Sequence, residues 1–297
     1  MTDPKLARLK QILAVPTFFR EEHTLLRFLV KRLKTVDYTI HYTIDDSGNL
    51  YITKGVADTY PCVCAHTDSV QSHTDIEIHE VTYKDKLRLI GKHSDGGSQC
   101  GIGADDKAGV FVCMELLNQL PVLKVALFAG EEFGCIGSQN SDPEFFKNVG
   151  YVIEFDCPGA HDVTHYCNGV KLFDENGEFY SVVKPILTEA MGREPKLHRH
   201  PYTDVWPLKR FHPVSCINLA TGYYRYHTHF EYVIVNEVLN AVNMGAACIE
   251  ALGNKVYEFT PSLTEITSYE RTMSKMRVEY PDVFKIEPEP YKNILDE

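Results

Sequence analysis

Five short segments of this sequence end in side chains that can bind divalent metals or move protons. They are Ala65-His66-Thr67-Asp68-Ser69-Val70, Gly103-Ala104-Asp105-Asp106-Lys107-Ala108-Gly109, Gly130-Glu131-Glu132-Phe133-Gly134, Glu154-Phe155-Asp156 and Tyr226-His227-Thr228-His229. Together they offer imidazole nitrogen and carboxylate oxygen with no essential thiolate, the donor set of a catalytic zinc site that keeps a position open for water. So many acids facing one cleft would repel one another, and divalent cations remove that repulsion. Taken singly, each motif has a plainer reading. A His near an acid is commonly a satisfied pair, and Asp-Asp or Glu-Glu commonly caps a helix or faces solvent. Their ordered combination, after apolar strands, carries the metal reading.

An α/β fold gathers functional groups at the carboxyl ends of its strands. Pro61-Cys62-Val63-Cys64-Ala65 is a buried-strand run that delivers the chain to His66, and residues 122–128 and 151–155 are further buried strands ending at carboxylates. Gly103-Ala104-Asp105-Asp106 opens an apolar helix through Val110, Met114 and Leu117. Asp3-Pro4 reads as an N-cap followed by Pro at the first helical position, with Leu6, Leu9, Ile12 and Leu13 at helical spacing and Pro16 as the stop. Further helices are predicted over 21–34, 179–191 and 236–252, the last ended by Gly253. Two strand-turn-strand ribbons are predicted, 38–44 with 50–53 and 76–83 with 86–90, and another strand over 214–219. This alternation predicts an α/β three-layer sandwich around a central mixed, largely parallel sheet. From residue 260 the sequence turns polar and acidic, with Pro261, Pro281, Pro288 and Pro290. The expected division is a single catalytic domain over 1–259 and an acidic C-terminal extension over 260–297 that wraps the surface or is partly disordered.

With 44% hydrophobic and 24% charged residues, the chain can bury a sizeable core. Its net charge of −11 argues against nucleic acid as a partner. No apolar run reaches bilayer length, so no membrane partner is expected. The segment Met1-Thr2-Asp3-Pro4-Lys5 does not read as a secretion signal, which gives a cytoplasmic expectation. Nine scattered Cys without a C-x-x-C fit reduced buried thiols rather than a disulfide framework. Gly101-x-Gly103 lacks the third Gly of a dinucleotide loop and there is no G-x-S-x-G, so the dehydrogenase and serine hydrolase readings fall.

The runs His66-Thr67-Asp68-Ser69-Val70, Gly103 to Gly109 and Gly130-Glu131-Glu132 resemble the peptidase T, glutamate carboxypeptidase and aminoacylase family of two-zinc hydrolases. Tyr226-His227-Thr228-His229-Phe230-Glu231-Tyr232 is similar to the peptidase T ending and to the bacterial leucyl aminopeptidase type. Glu131-Glu132-Phe133-Gly134-Cys135-Ile136-Gly137-Ser138 is shared by both branches. The resemblance spans roughly residues 1–253 and implies the phosphorylase/hydrolase-like fold of zinc exopeptidases. It implies two Zn2+ ions, with Mn2+ or Co2+ as alternatives. His66 and Asp156 would bind one metal, Glu132 and His227 the other, and Asp105 would bridge them. Asp68 matches the carboxylate that orients the His66 imidazole. Glu131 matches the general base, which takes a proton from the water shared by the metals and passes it to the leaving nitrogen. Asp106 is left to cap backbone N–H groups at a helix start.

Peptidase T relatives insert a lid or dimerisation domain between the fourth and fifth motifs. Here Asp156 and His227 are 71 positions apart, a stretch already occupied by a predicted helix and strands, so the chain resembles a catalytic domain alone. Thr203-Asp204 resembles a Ser-Asp or Thr-Asp pair of the leucyl aminopeptidase branch. Without a lid, the donor that steadies a tetrahedral oxyanion must come from this domain or from another subunit of a homo-oligomer. Tyr226, His198, Arg199 and His200 are the candidates. The expected activity is aminopeptidase cleavage of short peptides. The alternatives are an amidohydrolase or deacylase acting on N-acyl amino acids, and a binding protein that kept the fold without the activity.

Overall fold

The computed structural model describes residues 3–35 and 39–295. Tyr38, where the first predicted ribbon begins, lies outside the described residues. The chain opens with α1 (Pro4–Leu13), whose first turn is capped by Asp3 Oδ1 accepting the Lys5 N–H at 2.9 Å, and α2 (His23–Leu33). A hairpin of β1 (Ile40–Ile44) and β2 (Leu50–Lys54) leads to β3 (Tyr60–His66). The second ribbon, β4 (Ile76–Tyr83) and β5 (Lys86–His93), turns through Lys84 and Asp85, both at positive φ as a two-residue hairpin turn requires. Next come β6 (Gln99–Cys100), α3 (Ala104–Gln119), β7 (Leu123–Phe128), α4 (Ile136–Gln139), α5 (Pro143–Phe146) and β8 (Val149–Cys157). The next stretch holds β9 (Asp162–Cys167), β10 (Val170–Lys171), α6 (Glu178–Met191), β11 (Lys196–His200), α7 (Val205–Leu208) and β12 (Cys216–Ala220). It ends with β13 (Tyr223–Tyr224), β14 (Tyr232–Ile234), α8 (Val235–Leu252) and α9 (Leu263–Glu279).

The main sheet runs in the order β1-β2-β7-β3-β8-β12-β9-β10, with β11 on β9. Its centre is parallel, through the pairs β7/β3, β3/β8 and β8/β12, and the flanking β1/β2, β2/β7 and β12/β9 pairs are antiparallel. Strands β3, β7 and β8 are buried along their whole length, which is why they read as continuous apolar runs. Helix α3 lies on these three strands, and α8 packs on α3 and α6. Gly109 permits the close approach of α3 to β8, since a Cβ there would fall 2.0 Å from the Phe155 carbonyl oxygen. The buried Lys107 ammonium ties α3 to the end of α1 by donating to the carbonyls of Leu13 and Val15, both at 2.7 Å. A mixed sheet with a parallel centre, flanked by helices, bears out the α/β expectation. All nine cysteines are free and buried.

A smaller sheet in the order β13-β14-β5-β4, with β6 on β5, stands beside the main one. The Arg88 guanidinium sits 4.4 Å from the Tyr83 ring centre and 4.3 Å from that of Tyr232, fastening the ribbon to β14. The ribbon therefore anchors the loop 225–231 that carries His227. Beyond residue 260 the chain forms a regular helix, which the prolines of that stretch did not suggest. The Ser262 hydroxyl accepts the Glu265 N–H at 3.3 Å and the Glu265 carboxylate accepts the Ser262 N–H at 2.6 Å, a reciprocal cap that starts α9. The segment after it is fastened by Arg20, which donates to the Asp282 carbonyl at 2.8 Å, and by the Tyr291 hydroxyl, which donates to Glu22 at 3.1 Å. No helix among the described residues is long and apolar enough to cross a membrane.

Candidate active site

Because β7, β3 and β8 are adjacent and parallel, their carboxyl ends open on one side of the sheet. His66 is the last residue of β3, Glu131 and Glu132 follow β7, and Asp156 lies near the end of β8. Asp105 arrives at the start of α3, just after Gly103, whose φ of +57° turns the chain into that helix. His227 comes from the β13–β14 loop. Thus the seven side chains singled out from the sequence, His66, Asp68, Asp105, Glu131, Glu132, Asp156 and His227, converge.

Their distances divide them into two groups joined by Asp105. His66 Nε2 lies 3.2 Å from Asp105 Oδ1, 3.6 Å from Asp156 Oδ1 and 4.0 Å from Glu131 Oε2. His227 Nε2 lies 2.8 Å from Glu132 Oε1 and 3.2 Å from Asp105 Oδ2. The first group is buried. In the second, Glu132 is largely covered, while the His227 ring is 41% exposed at the rim.

Asp68 supports both groups from below. His66 Nδ1 faces the Asp68 carbonyl at 3.1 Å and its carboxylate at 3.4 Å. A carbonyl only accepts, so Nδ1 carries a proton and Nε2 is the ring atom aimed at the acid cluster, where it donates to Asp105 in the absence of a metal. The same carboxylate accepts the N–H of Glu131 at 2.9 Å and that of Glu132 at 3.2 Å, fixing the turn that aims both glutamates. Asp106 is fully buried and does not line the cleft. It accepts the Gly109 N–H at 2.9 Å and the His66 N–H at 3.2 Å, so it caps α3 as its position suggested.

Several buried acids pack close together here. Burial pushes the Glu131 carboxyl well above the ordinary range, against the opposing pull of His66, and the charges of Asp156, Asp204 and Glu132 add to the rise. Burial likewise lifts Glu132 to about 7, against the hydrogen bond from His227. Burial would raise Asp105 too, but its bonds to His227 and His66 overcome this and hold it low. His227 is driven up to about 10 by its bonds to Asp105 and Glu132. Such crowding of buried carboxyls marks a site built around positive charge. The donors fit a metal. His66, Asp105 and Glu132, and likewise His66, Asp106 and Asp156, each offer ligand atoms that all lie within 4.8 Å of one another.

Behind Asp156 lies a buried polar layer. The Asn218 side chain accepts the Asp156 N–H at 2.8 Å and donates to the Asp156 carbonyl at 3.1 Å and to the Thr203 hydroxyl at 3.0 Å. Thr203 donates its hydroxyl, and Asp204 its N–H at 2.9 Å, to Glu154. Thr203-Asp204 therefore anchors a loop against β8. Trp206 is buried in the core.

Two further residues serve the site that the sequence reading did not single out. The buried Tyr223 hydroxyl donates to Asp156 Oδ1 at 3.2 Å. Glu231, four positions after His227, is buried and accepts the N–H groups of Ile102 at 2.8 Å, Gly103 at 2.7 Å and Asp105 at 3.2 Å. It ties the His227 loop to the turn that presents Asp105. The cleft above the cluster has a volume of about 590 Å³. Its walls include Tyr226, His198, Arg199 and His200, the four residues considered as oxyanion donors, and Met276 from α9. Met276 Cε and Phe284 pack on Gly134, next to the paired glutamates, so the C-terminal helix closes one side of the opening.

Fold and donor set together define a metal-dependent hydrolase. The model of peptidase family M28 matches residues 50–238, more than half of the chain, and the chain belongs to this family of metallopeptidases. No curated protein sequence matches it. Among solved structures, the aminopeptidase PepT from Bacillus cereus ATCC 10987 is similar at 16% identity and a TM-score of 0.69, covering 84% of this chain and 98% of that one. A tripeptidase from Staphylococcus aureus subsp. aureus Mu50 is similar at 12% identity and a TM-score of 0.66, covering 83% and 97%. A TET aminopeptidase from a marine sediment archaeon, Thaumarchaeota archaeon SCGC AB-539-E09, is similar at 11% identity and a TM-score of 0.63, covering 90% and 100%. At these identities the likeness is one of fold, and it accords with the peptidase resemblance of the motifs.

Proposed function

We propose that this chain is an aminopeptidase with two zinc ions that cleaves short peptides. The carrying observation is the carboxylate of Asp105, each of whose oxygens lies 3.2 Å from a different imidazole. On this reading His66 and Asp156 would hold one ion and Glu132 and His227 the other, with Asp105 shared between them. Residues 1–259 form the catalytic domain, and the extension 260–297 contributes the Met276 wall of its cleft. When bound, divalent metals supply Lewis acidity that polarises a carbonyl and acidifies water.

The remaining work falls to side chains of this chain. Glu131 stands at the edge of the buried cluster, 4.0 Å from His66 Nε2, with a carboxyl that burial has made a stronger base than one in water. It takes a proton from the attacking water and hands it to the leaving nitrogen. Asp68 accepts the hydrogen bond of His66 Nδ1 through its carbonyl, which would direct Nε2 to a bound metal, and holds the Glu131-Glu132 turn in place. Tyr226 and His200, both lining the cleft, are donors available to the oxyanion.

The test compares dipeptides and aminoacyl amides with their N-acylated counterparts, using zinc-loaded protein. Hydrolysis that requires a free α-amine supports an aminopeptidase. Turnover confined to N-acyl amino acids replaces this reading with that of a deacylase.

A further inference from the structure

Among the described residues the cleft is lined by the carboxylates of Asp105, Glu131, Glu132, Asp156 and Asp162, and by one Arg or Lys only, Arg199 on β11. Away from the cluster that would hold metal, this guanidinium is the permanently charged group of the lining that can pair with an anionic substrate group. Among the described residues, Arg199 pairs with no carboxylate. Its guanidinium lies 4.9 Å from the ring centre of Tyr166. Contact with an aromatic face steadies the planar group while leaving its N–H edges free for bidentate bonding. The neighbouring basic residues are otherwise engaged. His198 Nε2 is 3.1 Å from Asp162, and His200 Nδ1 faces the Tyr202 carbonyl at 3.5 Å.

The strand itself accounts for the placement. In a regular strand consecutive side chains point to opposite faces. The pairing of β11 with β9 shifts register between His198 and Arg199, and irregularities of this kind re-aim side chains beside active sites. As a result His198, Arg199 and His200 all line the same cleft.

We infer that Arg199 forms a carboxylate-binding subsite, the place where this enzyme grips the anionic group of a short peptide. The inference rests on the peptidase reading given above. The anionic group comes either from the C-terminal carboxylate of a di- or tripeptide or from an acidic side chain. A cleft of about 590 Å³ accommodates a ligand of that size together with the reacting centre.

The experiment measures kcat and KM of the zinc-loaded wild type, Arg199→Gln and Arg199→Lys on three substrates: Leu-Gly-Gly, Leu-Gly-Gly amide and Glu-Gly-Gly amide. Losing a charged hydrogen bond should cost about tenfold or more. The expected result is that R199Q loses at least this much more kcat/KM on Leu-Gly-Gly than on its amide, mainly through KM, with R199K between the two. A selective loss on Glu-Gly-Gly amide equally supports the subsite and assigns it to a side chain. A loss of the same size on all three substrates would make Arg199 an oxyanion donor or a structural residue and overturn the inference, as would no change. If the wild type hydrolyses no peptide, the peptidase reading fails separately. Calorimetric binding of Gly-Gly against Gly-Gly amide to wild type and R199Q then decides the subsite, with equal affinities rejecting it.

Discussion

The carboxylate of Asp105 faces two imidazoles at once, with Oδ1 3.2 Å from His66 Nε2 and Oδ2 3.2 Å from His227 Nε2. An Asn at this position keeps the shape but turns one acceptor into a donor, so it cannot serve both sides. Residues that merely support a ligand change metal affinity or activity by about 10–100-fold, and a shared ligand should exceed that. Asp105→Asn is expected to lower bound zinc from two equivalents to one or fewer, read by elemental analysis, and to reduce turnover by about 10²-fold or more. Two equivalents retained in this variant would remove the bridging role.

Glu131 Oε2 lies 4.0 Å from His66 Nε2, and on the proposed reading it is the base rather than a ligand. For Glu131→Gln we expect turnover to fall by about 10²–10⁴-fold, the usual contribution of a general base. Its zinc content should match the wild type. Loss of metal together with activity would place Glu131 among the ligands instead.

Glu231 gathers three backbone N–H groups in the turn before Asp105. A buried donor left unpaired costs about 1–3 kcal/mol, so Glu231→Ala should destabilise the fold by roughly 3 kcal/mol or more in urea titrations. It should also weaken zinc binding in competition titrations, because Asp105 loses its support, and Glu231→Gln should restore part of both. Unchanged zinc affinity in the Ala variant would leave Glu231 with a purely architectural part.

His212 gives a pH dependence away from the cleft. Its ring lies 4.7 Å from that of Phe146, its Nε2 is buried without a hydrogen bond, and burial lowers its pKa from 6.5 to about 4, with Lys209 adding to the fall. Between these values the unfolded chain binds the proton and the folded chain does not. This contribution therefore stabilises the fold as pH rises from about 4 to 6.5 and is lost as pH falls through that window. Urea midpoints of His212→Phe at pH 5 and pH 7 should differ less than those of the wild type. An identical pH difference would mean that His212 protonates freely in the fold.

Zinc should also act on stability, since its proposed ligands come from β3, the start of α3, the loop after β7, β8 and the β13–β14 loop. Saturation to 100 times the dissociation constant contributes about 2.7 kcal/mol per site. For a chain of this size that raises Tm by roughly 5 °C or more. A chelator should reverse the shift in a thermal melt, and a Tm indifferent to both additions would count against the metal reading.

Much of this arrangement was legible in the sequence, for identifiable reasons. Fully buried parallel strands need apolar residues on both faces, so β3, β7 and β8 stood out, and each is followed by a polar motif that has no place in a core. The ribbon β4–β5 was legible from its alternation, but its use as a mount for the His227 loop depends on pairing with β14, more than 130 residues later. Strand β11, Lys-Leu-His-Arg-His, lacks an apolar run and is a strand only because it adds to β9. Glu231 stands in the Tyr226–Tyr232 run with no role of its own visible there, because its meaning lies in contacts with residues 126 to 129 positions earlier. The signal for α9 is present in Ser262 and Glu265, a Ser-x-x-Glu cap, but Pro261 before it and Pro281, Pro288 and Pro290 after it point to irregular chain.

The nine covered thiols have a practical consequence. Burial raises the pKa of every one of them, from Cys100 to Cys64, Cys113 and Cys135, so the folded chain holds almost no thiolate for an electrophile to reach. Alkylation by a maleimide thus becomes a clock for opening of the structure. Mass spectrometry of the labelled positions would rank its layers by how often each breathes, with no introduced probe.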